Sequence, residues 1–277
     1  MPPIEEAELT PLLSPSISME ENVELCWLPS EEEVKDADVV EATREFFTGA
    51  LLSKFYGASF IVLIPKIPGP KSFDKFRLIS LCSVAYKMFS KILVARLNAI
   101  LPRLVFPEQE AFIPGRSIFE NISLTQEMVH GMNKKNLGGN VILKIDMAKV
   151  YDRENLSRLL RKQFEDGRIG KFYHPMGASM VSHLLYADDV LIFLNGEKRS
   201  LHRLGSILAV YERWSGQRIS REKSSIFASI SISCARRRSL VRLTGFAEGH
   251  FPMTYLGVPL VQGRLKACHL KQMLVKI

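Results

Sequence analysis

Ser182-His183-Leu184-Leu185-Tyr186-Ala187-Asp188-Asp189-Val190-Leu191-Ile192-Phe193 is the stretch that decides how this chain is read. Two apolar, strand-like runs flank an Asp-Asp pair, with no Gly or Pro between them. Side chains alternate faces along a strand, so adjacent aspartates cannot both point one way from a regular one. The arrangement is accounted for if Asp188 and Asp189 occupy the turn of a tight β-hairpin, where Asp is favoured. Two carboxylates on a rigid hairpin tip suit a hard divalent cation such as Mg²⁺. On the pair alone, the plainer reading is a surface turn that happens to carry two acids. The rest of the chain shifts that balance.

Upstream, Gly138-Gly139-Asn140 is a break, and Val141-Ile142-Leu143-Lys144-Ile145-Asp146 reads as a strand with an acid at its end. If that strand pairs beside the hairpin, three carboxylates converge, the layout for two-metal phosphoryl transfer. Asp152 is placed to cap a helix whose Leu156, Leu159, Leu160 and Phe164 share a face, and Gly167 closes it. After the hairpin, Leu201, Leu204, Ile207, Leu208, Tyr211 and Trp214 mark an amphipathic helix ending at Gly216. A strand-like Ser224–Ala228, a short helix around Arg236-Arg237-Arg238 and a hairpin strand Tyr255–Leu260 follow. Further upstream, Phe60–Ile64 is an apolar run stopped by Pro65 and reads as a buried strand. Phe76–Leu81 is a second short strand, and a long helix from near Ser83 is expected to end at Pro102. Strands alternating with helices in this way describe an α+β fold.

The net charge of +8 conceals an asymmetry. Residues 1–50 hold 13 acids against Lys35 and Arg44, a net of −11, so the remainder carries +19. A basic body of that size suggests a polyanion partner, most plausibly nucleic acid, against the plainer alternative of a solvated surface. Residues 1–30, with five prolines among acids and serines, read as largely unstructured, and Ser30 and Glu33 as a capping box opening a helix. Four scattered cysteines, Cys26, Cys82, Cys234 and Cys268, fit reduced intracellular thiols rather than a disulfide frame or a zinc site. No run approaches a membrane span, the acidic N-terminus is not a signal peptide, and no protein partner is evident.

Six segments, in order, carry a family likeness: Phe60–Lys66, Phe76–Leu81, Gln109–Arg116, Leu143–Arg153, the Tyr186-Ala187-Asp188-Asp189 box and Tyr255–Leu260. The chain resembles the reverse transcriptase of plant LINE-type (non-LTR) retrotransposons. That likeness implies the fingers and palm of a right-hand polymerase, two Mg²⁺ ions (Mn²⁺ as a substitute), and an RNA template, a DNA primer and dNTPs as partners. It implies that Asp146 and Asp188 hold the metals and that Asp189 is the neighbouring acid. Tyr151 matches the aromatic beneath the incoming sugar, its plainer reading being a core tyrosine. Lys66 and Arg77 match the fingers bases that hold the triphosphate, a task suited to a point charge and a planar fork. Lys223 matches a palm lysine near the departing pyrophosphate. Arg116 would lie against template or phosphate backbone, and Tyr255, Leu256 and Gly257 belong to the hairpin that grips the primer end.

The departures are equally specific. The family's Arg-Gln-Gly-Asp-Pro-Leu-Ser-Pro box and its helix should lie between Asp146 and Asp188, but only 42 positions separate them. The sequence therefore reads as internally deleted near 168–181. The Ala-Pro-Gly-Pro-Asp-Gly loop expected after Glu31–Lys35 is missing, and Leu78 replaces a proline. The expected organisation is an acidic, partly disordered segment 1–50, fingers and palm over 55–232, and a primer-grip hairpin with the start of a thumb over 233–277. No endonuclease domain is read upstream. The expected function is an RNA-directed DNA polymerase by resemblance, impaired in this copy, with a non-catalytic nucleic-acid-binding remnant as the alternative.

Overall fold

The computed structural model describes residues 18–27, 43–51, 54–105, 108–109, 113, 115–148, 154–175, 177, 180–267 and 269. Two compact units emerge, one within Pro15–Leu104 and a larger one within Val105–Ile277.

The smaller unit contains a helix where none is expected, α1 (Met19–Cys26). Its start is a capping box: the Glu21 amide donates to Ser18 Oγ and the Ser18 amide to the Glu21 carboxylate. Arg103 pairs with the same carboxylate. The capping box expected at Ser30 and Glu33 lies outside the described residues. After the short α2 (Lys54–Gly57), β1 (Ser59–Pro65) and β2 (Phe76–Cys82) form an antiparallel ribbon, Ser59 opposite Cys82 and Pro65 opposite Phe76. The strand at Phe60–Ile64 is therefore present, but it is not buried. Every β1 residue is exposed, Phe60 to 80%. An apolar run dictates extension; burial needs a second layer over the ribbon, which a two-strand sheet does not supply by itself. Helix α3 (Val84–Leu104) is capped by Ser83, whose hydroxyl accepts from the Tyr86 amide, and it runs through Pro102 for two more residues. A proline lacks the amide donor and its ring crowds the carbonyl four residues back, and here only the last half-turn lies beyond it.

The larger unit is built on a five-stranded sheet ordered β4-β5-β3-β6-β7. Its members are β3 (Asn140–Ala148), β4 (His183–Tyr186), β5 (Asp189–Asn195), β6 (Arg218–Ala228) and β7 (Ala247–Glu248). All pairings are antiparallel except β6 with β7. Strict alternation gives β3 two different faces. Val141, Leu143, Ile145 and Met147 point into the larger core cluster, which also takes Leu156, Leu160 and Phe164 of α5 (Glu154–Glu165). Leu201, Leu204, Ile207, Leu208 and Tyr211 of α6 (Lys198–Ser215) and Leu240 of α7 (Cys234–Thr244) complete that layer. As expected, Gly216 ends α6 in the left-handed conformation, φ 68°, and Gly245 does the same for α7.

The opposite face is divided. Ile142 joins Leu191 and Phe193 under α4 (Ile118–Gly131) and a small hairpin, β8 (Met253–Tyr255) and β9 (Val258–Leu260). Along the same side of β3, two and four residues further on, lie Lys144 and Asp146. One half of the face is thus core and the other half is charged. Asn121, buried in α4, has no partner for either amide atom among the described residues, a cost of about 1–3 kcal/mol per group to seating that helix. Among the described residues no helix is long and apolar enough to cross a membrane.

Candidate functional site

Strand pairing fixes where the acids meet. β3 lies against β5 with Asp146 directly opposite Asp189. The Met147 amide donates to the Asp188 carbonyl over 3.2 Å, tying the hairpin turn to the end of β3. Three aspartates therefore occupy adjoining backbone positions where the interior strands β3 and β5 meet the hairpin turn. The turn differs by one residue from the sequence expectation. Tyr186 pairs with Asp189, so Ala187 and Asp188 form the turn and Asp189 already belongs to β5. Ala187 has φ 45°, which for a residue with a Cβ costs about 1–2 kcal/mol.

Two lysines offset part of this negative charge. Lys144 Nζ lies 3.4 Å from Asp189 Oδ1, and Lys223 Nζ lies 3.9 Å from Asp146 Oδ1. The Lys223 side chain is 72% exposed, so that second pair contributes little to stability. The Asp146 amide donates to Ser224 Oγ, where β6 shifts register against β3. Burial pushes the Asp189 carboxyl above its ordinary range; Lys144 opposes this, while Asp188 and Asp146 add to it. By chemistry the donor set fits a hard cation, since it offers only carboxylate oxygens. Among the described residues, however, no three His, Cys, Asp or Glu are gathered as a metal cluster. The ammonium groups are the positive charges beside two of the acids.

The other sequence candidates are dispersed. Lys66 follows the end of β1 and Arg77 is the second residue of β2, so both sit at the loop end of the ribbon, and both are exposed. Tyr151 lies outside the described residues. The Arg116 guanidinium donates to the carbonyls of Val105, at 2.7 Å, and Gln109, so it pins its own loop. Tyr255 is a core residue, fully buried among Met253, Leu260 and Phe227. A ring there supports the hairpin and is closed to a nucleic acid; the turn Leu256-Gly257, with φ 49° and 83°, is what the hairpin presents. Both positive φ values match a two-residue hairpin turn twisted in the favoured sense. Lys144 was not singled out from the sequence, although its place two residues before Asp146 puts both on one strand face.

Residues 64–170 match the reverse transcriptase (RNA-dependent DNA polymerase) family. The match takes in Arg77 and Asp146 and stops at Gly170, short of the Asp188-Asp189 turn. The chain is 32% identical over 91 residues to the transposon TX1 uncharacterized 149 kDa protein of Xenopus laevis, covering 33% of this chain and 7% of that protein. It is 36% identical over 106 residues to the retrovirus-related Pol polyprotein from type-1 retrotransposable element R2 of Nasonia vitripennis, covering 37% of this chain and 10% of that one. Residues 64–170 thus resemble reverse transcriptases, and the chain spans a tenth or less of the length of the two mobile-element proteins that it is similar to.

Proposed function

We propose that the chain is an incomplete fingers–palm polymerase of plant LINE-type lineage, an RNA-directed DNA polymerase by descent whose activity is impaired. The observation that supports it best is the register of Asp146 opposite Asp189, with Asp188 in the adjoining turn. In this reading Asp146 and Asp188 hold Mg²⁺ or Mn²⁺, and Asp189 is the neighbouring acid. The bound ions would supply charge stabilisation at the transferring phosphate and a lowered pKa for the attacking hydroxyl. Lys66 and Arg77 hold the dNTP triphosphate, Tyr151 lies beneath its sugar, and the exposed Lys223 ammonium awaits the pyrophosphate. Arg116 and the Leu256-Gly257 turn, backed by Tyr255, face template RNA and primer DNA. The impairment follows from the short connection between Glu165, where α5 ends, and His183, where β4 begins; its described residues contain no helix. A nucleotide site needs its walls held within about 0.5 Å, and the family's template-positioning helix has no counterpart among those described residues.

Primer extension on an RNA template, with dNTPs and Mg²⁺ or Mn²⁺, is expected to be no greater than in an Asp188→Ala/Asp189→Ala control. Extension that the double variant lacks would overturn the impairment while leaving the lineage standing. A second reading, a non-catalytic nucleic-acid binder, is favoured by the stretch 198–245, which sets eleven Lys and Arg against Glu212 and Glu222. Arg199, Arg213, Arg238 and Arg242 are exposed on α6 and α7. Binding that falls steeply with salt and ignores the aspartates selects that reading.

A further inference from the structure

The boundary between the apolar and the charged half of the sheet face is occupied by one side chain. Lys144 stands between Ile142, which is core, and Asp146, which is at the acidic edge. Its neighbours in the sheet are Leu191 and Ser225. From there the ammonium reaches two different elements. It lies 3.4 Å from Asp189 Oδ1 and donates to the Thr254 carbonyl of β8 over 2.9 Å. A four-carbon stem with a compact charge and three donors suits this double contact, the stem lying on apolar surface while the head bridges two acceptors. The β8–β9 hairpin packs on the sheet through Met253, Tyr255 and Leu260, and beyond β9 it is tied to α4 by paired bonds between the Gln126 amide and the Val261 backbone. Apolar packing fixes how deep such a hairpin sits but is not directional. The Lys144 bond is directional, and it ends on an acid of the site.

We propose that Lys144 is a positioning residue, joining the Asp189 carboxylate to the Thr254 carbonyl and so setting the Leu256-Gly257 turn relative to the three aspartates. The link is a property of the folded chain; its meaning for primer placement rests on the polymerase reading above. Removing the ammonium releases the β8 side of the hairpin and leaves the Gln126 side attached. Arginine keeps a charged donor at the same strand position, whereas methionine keeps only the apolar stem.

Hydrogen exchange on the full chain, without substrate or metal, tests this. In Lys144→Met the amides of residues 253–258 are expected to exchange about tenfold faster or more, the scale of one lost charge-assisted bond. Amides of Ile142 and Phe193 should keep their wild-type protection, and Lys144→Arg should restore protection to the hairpin. Unchanged hairpin exchange in Lys144→Met would overturn the proposal, as would an arginine variant behaving like the methionine one. Should the methionine variant fail to fold, Lys144→Gln is read by the same criteria. A failed primer extension leaves this test intact, and a failed exchange test leaves the polymerase reading intact.

Discussion

Phe193→Ala is expected to lower the unfolding free energy of the larger unit by about 3–5 kcal/mol. Phe193 is fully buried at the centre of β5, edge-to-face with Phe172 at 5.9 Å between ring centroids. It packs in one cluster with Met128, Val129 and Met132, beside Ile142 of the neighbouring strand. These neighbours come from a helix, a strand and a loop, so they cannot all close on the space left by the ring. Total stabilities run to about 5–15 kcal/mol, so the variant should melt far earlier and express poorly. Ile64→Ala provides the contrast. It removes a side chain of similar character on the exposed ribbon, and should change stability by about 0.5 kcal/mol or less. Denaturant melts of both variants check this; a Phe193→Ala loss below about 1 kcal/mol would contradict the packing described.

Stability is also expected to fall by as much as about 3 kcal/mol between pH 6.5 and 4, from one buried imidazole. His183 is fully buried at the start of β4, with Ser157 Oγ 2.8 Å from Nε2 and Ser182 Oγ 2.8 Å from Nδ1. Burial lowers its pKa from 6.5 to about 4; Glu108 works against this and Arg161 with it. Below pH 6.5 the unfolded chain takes up a proton that the folded chain refuses. Unfolding is therefore favoured progressively until the folded form protonates as well, near pH 4. Asp189 acts in the opposite sense, because its raised pKa lets the folded chain take a proton before the unfolded one. Urea melts at pH 7.5 and 4.5, on the wild type and on His183→Gln, isolate the imidazole. The wild type should lose markedly more stability than the variant over that interval, and equal losses would remove His183 as the cause.

Much of this architecture could be read from residue spacing. The buried stripe from Leu201 to Tyr211 with Gly216 behind it left little choice for α6, and α5 followed from Leu156 to Phe164. The meeting of Asp146 with the hairpin was conditional on strand pairing, which no local pattern dictates, and the register supplies it. The turn falls one residue earlier than composition predicts because Ala187 adopts a positive φ that its own chemistry disfavours. Burial was the harder quantity: Phe60–Ile64 and Tyr255 are both strand-like, yet one faces solvent and the other is core. Lys144 illustrates the limit. Alternation places it beside Asp146, but its bond to Thr254 spans 110 positions of sequence and appears only once the hairpin has docked.

Mn²⁺ titration of the full chain, followed by electron paramagnetic resonance, tests most directly whether Asp146, Asp188 and Asp189 act as one cation site. Saturable binding is predicted for the wild type, displaced by Mg²⁺. Asp146→Asn and Asp188→Asn should each weaken it by at least about tenfold, a loss that even outer partners of metal ligands produce. Binding of equal strength in both variants, or no saturable binding in the wild type, would contradict a shared carboxylate site at the end of β3.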